Sequence, residues 1–227
     1  MAETFTFVRE NSLIDKVSVE KLIERFDQIY IEDKHEKLSS SVYVLYRKKG
    51  IELEPLYLSL IEKIQNKFES IVGSSDFDFE KLWLVSTTSN DSKKDKLPYI
   101  PHIDYRRVFK AMVYLHDVSY DHGPIHLGKV KSNIDLEKKR KSLPKDYAIK
   151  GLNTINNNLL KEDLIPMEGK AGDVIFFDTN TPHKAGIIKE GYNRKVLRFD
   201  FGRKIIRQKQ NFFSKSLSKI NDIFYKI

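Results

Sequence analysis

A histidine and an aspartate two positions apart, His102 and Asp104, are the residues whose types and spacing first suggest chemistry. They follow Pro101, where the chain enters a region of short apolar runs. In an extended segment, side chains two positions apart project to the same side from backbone positions about 6 to 7 Å apart. An imidazole and a carboxylate can then reach one small cation. The sequence has no cysteine, so any metal would take oxygen and nitrogen ligands.

A third metal ligand has to come from elsewhere in the fold. His183, the last histidine of the sequence, follows a very apolar strand predicted over Asp173–Asp178. Two imidazoles and one carboxylate on one face of an octahedral metal leave three positions open, as in non-heme Fe(II) oxygenases. A rival set, His116, His122 and His126, has spacings of six and four across a Gly-Pro turn. Those spacings do not predict three rings on one face.

Two arginines could bind the carboxylate of a co-substrate near such a metal. Arg194 stands eleven residues beyond His183, at the mouth of a strand predicted over Val196–Phe201. An arginine there can grip a carboxylate in a bidentate fork, which lysine cannot reproduce. Arg198 shares the strand parity of Arg194, so it is the rival anchor and the choice stays open.

Three further residues are weaker candidates for contacts at this site. If the alternation that starts with His102 and Asp104 continues along the next strand, the side chains that face inward are Lys110, Met112 and Tyr114. The residues between them then face the helices. Lys110 and Tyr114 are therefore candidate contacts of a co-substrate. Thr181 is a further candidate near the metal, with shaping of the Pro182 turn as its alternative role.

The elements that must position these residues change character along the chain. The first 75 residues predict helices: one from Ser18, which is its expected cap, and one from Pro55 to a stop at Gly73. From residue 82 the apolar period becomes two. The predicted strands are a β-like run at Val42–Tyr46, clear ones at Leu82–Thr87, Val108–His116, Asp173–Asp178 and Val196–Phe201, and weaker ones at Pro124–Leu127 and Leu164–Met167.

Helices followed by many short strands predict an α+β protein whose antiparallel sheets form a sandwich or jelly roll, with the helices packed on one outer face. We expect a single domain with helical support over 1–80, a β core over 81–205 and a C-terminal helix over 206–227. Residues 128–147 carry seven Lys or Arg and predict a basic insertion between strands.

The composition of the chain limits the classes of molecule that we expect it to bind. The chain of 227 residues has a formal net charge of +8, with the basic residues spread along its whole length. This pattern is typical of a solvated basic surface, so nucleic acid is not an expected partner. Apolar runs are too short for a membrane span, and the first ten residues lack the apolar core of a signal peptide. We therefore expect a cytoplasmic protein with a small-molecule substrate.

The stretch from Tyr99 to Gly202 resembles the double-stranded β-helix core of the Fe(II)- and 2-oxoglutarate-dependent oxygenases, and is most similar to the phytanoyl-CoA dioxygenase-like branch. The matching pieces are His102 with Asp104, Ala111–Leu115 with Asp117 and Val118, Gly123–Ile125, Gly172–Phe177, and His183 with Arg194.

This resemblance implies cofactors and a reaction. Fe(II) would be held by His102, Asp104 and His183. 2-Oxoglutarate would chelate the iron through its keto and C1 oxygens, and Arg194 would bind its distal carboxylate. Reaction with O2 would yield succinate, CO2 and an oxidised product. Related halogenases replace the carboxylate ligand with a small residue, so Asp104 favours hydroxylation. Charge alone makes an anionic or nucleotide-linked metabolite the favoured substrate.

Two alternatives from other classes remain open. A cupin-like sugar isomerase or epimerase would use His and Tyr as acid and base, and its activity would survive chelation. A non-catalytic basic module would bind a polyanion with steep salt dependence and would take up no iron.

Overall fold

The computed structural model describes residues 6–33, 36–39, 42–47, 53–91, 97–104, 107–128, 138 and 164–203. Within them the helices are α1 (Lys16–Glu32) and α2 (Pro55–Val72). The strands are β1 (Phe7–Glu10), β2 (Glu36–Ser39), β3 (Val42–Arg47), β4 (Phe77–Thr88), β5 (Phe109–Tyr114), β6 (Ile125–Gly128), β7 (Leu164–Pro166), β8 (Val174–Asp178), β9 (His183–Ala185) and β10 (Asn193–Arg203).

These strands form two antiparallel sheets. The large sheet has the order β1-β8-β5-β10-β4-β3-β2, and the small sheet has the order β7-β6-β9. Several neighbours in the large sheet are far apart in sequence; for example, β5 lies between β8 and β10. The predicted α+β class and the predicted antiparallel pair of sheets are confirmed.

The helices begin and end at residues with clear local reasons. α1 is capped by Asp15, whose carboxylate accepts a hydrogen bond from the Ser18 backbone N–H at 2.9 Å. The predicted cap at Ser18 is therefore wrong: Ser18 lies inside the first turn, and the residue three positions earlier satisfies its amide. α2 begins at Pro55 and ends before Gly73, which has a φ of 68°, as predicted.

Both helices pack on one face of the large sheet. Their apolar sides and the facing strand residues form one core cluster. Phe68 of α2 is fully buried and contacts aromatic rings from four strands of that sheet: Phe77, Phe109, Phe176 and Phe201. The helices therefore support the sheet from outside, on the predicted face.

The other face of the large sheet turns toward the small sheet. Along β5, Ala111 and Val113 belong to the core beneath the helices, whereas Met112 and Tyr114 belong to a second cluster. That second cluster also contains Leu127 of the small sheet, so it lies between the sheets. The predicted parity of this strand is confirmed, and inward positions are the ones that can reach a site.

Two predicted features fall outside the described residues. The C-terminal helix over 206–227 lies there entirely, and the basic segment 128–147 lies there except for Gly128 and Lys138. The division of the chain into one domain of three parts stays a prediction.

Candidate metal centre

His102 and His183 are brought together by backbone pairing. The His102 N–H donates to the His183 carbonyl at 2.9 Å, and the His183 N–H donates to the His102 carbonyl at 2.8 Å. His183 begins β9 and pairs on its other side with Leu127 of β6. The small sheet therefore fixes the relative position of two histidines that are distant in sequence.

Both imidazole rings are oriented in the same way. The Nδ1 atom of His102 lies 2.8 Å from the Ile100 carbonyl oxygen, and that of His183 lies 2.8 Å from the Thr181 carbonyl oxygen. A carbonyl oxygen only accepts, so each Nδ1 carries the proton and each Nε2 presents a lone pair. This tautomer is the one in which Nε2 binds a metal.

Asp104 completes the group. Its backbone N–H donates at 3.1 Å to the carbonyl of Thr179, the residue that follows β8. Its Oδ1 atom lies 3.7 Å from His102 Nε2 and 3.5 Å from His183 Nε2. The potential ligand atoms of the three residues all lie within 4.8 Å of one another. The predicted convergence of these three side chains is confirmed.

The donor set fits a divalent metal. Ligand atoms bonded to one ion at about 2.0 to 2.2 Å lie roughly 3 Å apart when their bonds are perpendicular, close to the separations seen here. Within the described part of the chain, the Nε2 atom of His183 is buried and has no hydrogen-bond partner. Buried polar atoms are usually satisfied, so this lone pair fits a metal-binding role. Two imidazoles and a carboxylate suit Fe(II).

The electrostatics keep these groups in the metal-binding form. Burial alone would raise the pKa of Asp104, but the Lys110 ammonium, followed by the two histidines, holds that pKa well below its usual range. Burial, and next the nearby His183, lower the pKa of His102 to about 3. At neutral pH the carboxylate is therefore charged and the His102 ring is neutral, as metal coordination requires.

A cavity of about 110 Å³ adjoins the histidines, and both candidate arginines line it. Arg194 is 4% exposed, and burial lowers its pKa. Among the described residues, its Nε and Nη1 atoms have no hydrogen-bond partner. A buried guanidinium without an anion is costly, so this position fits an acidic ligand.

Arg198 lines the same cavity but is already engaged. Its Nε atom lies 3.1 Å from Asp200 Oδ1, and its guanidinium carbon lies 4.2 Å from the centre of the Trp83 ring. Trp83 in turn donates from Nε1 to Asp200 Oδ2 at 2.8 Å. Sequence reasoning missed Trp83 and Asp200. Strand alternation could have found Asp200, which shares the inward parity of Arg198 on β10.

The three softer candidates have different positions. Lys110 lines the cavity, and its Nζ atom lies 2.5 Å from Asp104 Oδ2. Tyr114 is fully buried in the cluster between the sheets, and its hydroxyl donates to the Met167 carbonyl at 2.7 Å. The Thr181 hydroxyl donates to the Thr6 carbonyl at 3.2 Å, while the Thr181 carbonyl orients His183.

The rival histidine set does not converge. The rings of His116 and His122 lie 5.3 Å apart, but the Nε2 atom of His116 accepts the Lys195 N–H at 3.0 Å. His122 Nδ1 lies 2.9 Å from the Ser119 hydroxyl. Among the described residues, the metal-compatible grouping of His, Asp and Glu side chains is the His102, Asp104 and His183 set.

Two antiparallel sheets that enclose a His-x-Asp…His triad and a buried arginine define the class of 2-oxoglutarate-dependent non-heme iron oxygenases. Within that class, the chain belongs to the phytanoyl-CoA dioxygenase (PhyH) family, whose sequence profile matches residues 17–195. Iron and 2-oxoglutarate are the metal and co-substrate of this class.

Solved structures share the fold. The non-heme α-ketoglutarate-dependent epimerase SnoN from nogalamycin biosynthesis is 16% identical, with a TM-score of 0.61 over 88% of this chain and 78% of that one. HygX from Streptomyces hygroscopicus, with nickel and 2-oxoglutarate bound, is 15% identical, with a TM-score of 0.55 over 88% and 84%. A Pseudomonas putida prolyl-4-hydroxylase is 15% identical, with a TM-score of 0.54 over 88% and 94%.

These matches identify the folded core as the double-stranded β-helix that was expected. No curated protein sequence matches the chain. No helix in the described ranges is long and apolar enough to cross a membrane.

Proposed function

We propose that this protein is an Fe(II)- and 2-oxoglutarate-dependent dioxygenase that hydroxylates a small, polar, anionic metabolite. One observation carries the proposal. A buried imidazole lone pair on His183 and a buried guanidinium on Arg194, neither with a partner in the described part of the chain, border the same cavity. A metal ion satisfies the first group and a carboxylate satisfies the second.

The roles follow from the contacts of each residue. His102, Asp104 and His183 hold the iron, and Arg194 binds the distal carboxylate of 2-oxoglutarate. Arg198 is a weaker candidate for that anchor because Asp200 already neutralises it. The hydroxyls of Tyr114 and Thr181 already donate to backbone carbonyls, so we assign neither of them to the co-substrate.

Iron held by these three residues would supply the activation of O2, with 2-oxoglutarate oxidised to succinate and CO2 while the substrate C–H bond becomes C–OH. One oxygen atom enters succinate and the other enters the product, so the reaction is balanced. Asp104 occupies the third protein ligand position, which favours hydroxylation over halogenation.

The charge balance supports an anionic substrate. Iron is compensated by Asp104 and one carboxylate of 2-oxoglutarate, and Arg194 by the other carboxylate. Arg198 is compensated by Asp200. Lys110, which shares Asp104 with the iron, then leaves the whole group with one net positive charge at the cavity. A formal net charge of +8 acts in the same direction on diffusing anions.

The test is iron binding and co-substrate turnover, neither of which needs the natural substrate. Anaerobic addition of Fe(II) and then 2-oxoglutarate should give a visible charge-transfer absorption, and admission of O2 should yield succinate. Chelation should abolish turnover, and Fe(II) should restore it. His102→Ala and Asp104→Ala should lose both signals while keeping the fold.

Wild-type turnover in either alanine variant would reject the iron site. Isomerase activity that survives chelation would favour the cupin-like alternative. Salt-sensitive duplex binding without iron uptake would favour the polyanion-binding alternative. The substrate class is tested with a panel of small carboxylates and phosphates. These compounds should accelerate succinate formation more than their neutral analogues do.

A further inference from the structure

We propose that Lys110 is a positioning residue: it restricts Asp104 to a single metal-binding oxygen and so keeps a coordination position open for 2-oxoglutarate. This inference rests on the iron and 2-oxoglutarate chemistry proposed above. It adds a role that the triad does not include.

The two oxygens of Asp104 have separate surroundings. Oδ1 faces the two imidazoles, at 3.7 Å and 3.5 Å from their Nε2 atoms. Oδ2 faces Lys110 Nζ at 2.5 Å. The Lys110 side chain is 12% exposed, so water screens this ion pair little. The carboxylate therefore presents one oxygen to the metal and the other to a fixed cation.

Among the described residues, the acid opposite Lys110 is not an equal alternative partner. Asp200 lies directly opposite Lys110 in the β5–β10 register. Its carboxylate, however, is held by the Trp83 indole N–H at 2.8 Å and by Arg198 at 3.1 Å. Phe177, opposite Lys110 on β8, places its ring 6.0 Å from the ammonium and offers only a weak cation–π contact.

The consequence for coordination is direct. An octahedral metal held by three protein atoms has three open positions. 2-Oxoglutarate needs two of them and O2 needs the third. If both oxygens of Asp104 bound the metal, one position would be lost. A cation on Oδ2 opposes this because the same oxygen would have to serve two positive centres.

Loss of the Lys110 charge should therefore affect the two ligands in opposite directions. The metal no longer meets a nearby cation and gains a second carboxylate oxygen, so Fe(II) should bind more tightly. The dianionic co-substrate loses an attractive charge and a coordination position, so it should bind more weakly. A purely structural role for Lys110 would weaken both.

The experiment measures Fe(II) affinity alone and then 2-oxoglutarate affinity of the Fe(II) protein, both without oxygen. Lys110→Met should raise Fe(II) affinity about tenfold and lower 2-oxoglutarate affinity about tenfold, as expected for one unit charge a few ångströms away. Lys110→Gln is the second neutral variant in case the methionine variant does not fold. Lys110→Arg should restore both values.

A spectroscopic measurement separates coordination from charge alone. The visible absorption of the Co(II)-substituted protein, without 2-oxoglutarate, should change in Lys110→Met and return in Lys110→Arg. Lys67→Met is the control: Lys67 pairs with Glu10 at 3.0 Å, outside the cavity, and its side chain is also largely buried, at 33% exposure. This control should leave both affinities and the spectrum unchanged.

Each outcome decides a specific question. Parallel loss of both affinities, an unchanged Co(II) spectrum or wild-type values in Lys110→Met would reject the role of Lys110 while leaving the proposed function intact. Failure of the unchanged protein to bind Fe(II) would reject the proposed function itself, and the Lys110 role with it.

Discussion

Arg194 and Arg198 show how two identical residues on one face of one strand acquire different properties. Arg198 has its charge compensated by Asp200 and its plane stacked on Trp83. Arg194 is buried with two guanidinium nitrogens that lack a partner in the described part of the chain. The ligand-free protein therefore carries a destabilising charge that a dicarboxylate would neutralise.

A stability measurement distinguishes the two arginines. Arg194→Met should raise the free energy of unfolding of the ligand-free protein by about 1 kcal/mol or more, because it removes an uncompensated buried charge. The same variant should lose the stabilisation by 2-oxoglutarate, which for the anaerobic Fe(II) protein is about 2.7 kcal/mol at one hundred times its Kd. Urea unfolding with and without 2-oxoglutarate measures both effects.

Arg198→Met is the control for that experiment. It leaves Asp200 without its cation, so the ligand-free protein should become less stable, while the increment from 2-oxoglutarate should persist. If Arg198→Met lost the increment and Arg194→Met kept it, the assignment of the co-substrate anchor would be reversed.

At the level of elements, alternation along strands carried most of what the sequence could predict. The inward parity of Lys110 and the shared parity of Arg194 and Arg198 follow from a period of two, which the sheet preserves. His183 could be proposed because it follows the apolar strand β8 and has the residue type that the metal needs. Six predicted strands in the β region are present with shifted ends.

Other elements could not be found because their signals are not local. β9 has three residues, too few for a period, and its position depends on pairing with β6 and with the His102 segment. β1 pairs with β8, more than 150 residues away along the chain. Nothing in the residues of either strand encodes such a partner. Contacts like the Lys110–Asp104 pair depend on that tertiary placement.

The turn before β8 offers a prediction about how helices and sheet are joined. Gly172 has a φ of 87°; its N–H donates to the Tyr114 carbonyl at 2.9 Å, and its carbonyl accepts from the Ile14 N–H at 3.0 Å. A Cβ added here would collide with the Ile14 carbonyl oxygen. Gly172→Ala should therefore cost about 3 kcal/mol or more, combining left-handed strain with a backbone clash.

Gly191 is the matched control for Gly172. Its φ is 83°, but an added Cβ would meet no atom within 4 Å. Gly191→Ala should cost only the conformational strain, about 1 to 2 kcal/mol. Urea unfolding of both variants measures the difference, and equal losses would show that the contact with the segment before α1 adds nothing to stability.

In the molecule as a whole, the two sides of the large sheet differ in composition. The cluster under the helices is almost entirely apolar, whereas the space between the sheets combines an apolar floor with charged groups at the cavity. Apolar burial, the dominant favourable term in folding, is thus concentrated on the helix side. The charged groups of the site are buried in the same fold, so a pH change that alters their protonation should change the free energy of unfolding.

Acid provides that test for the metal-free protein. Burial lowers the pKa of His102 from its ordinary 6.5 to about 3. Between those values the unfolded chain binds a proton at His102 and the folded chain does not, so stability is fully present above pH 6.5 and falls as the pH drops toward 3. This residue should contribute a slope of up to about 1.4 kcal/mol per pH unit in that window.

Urea unfolding of wild type and His102→Gln across the window isolates the contribution of His102, because general charge repulsion is common to both proteins. Parallel stability profiles for the two proteins would show that His102 takes up its proton equally well in the folded state.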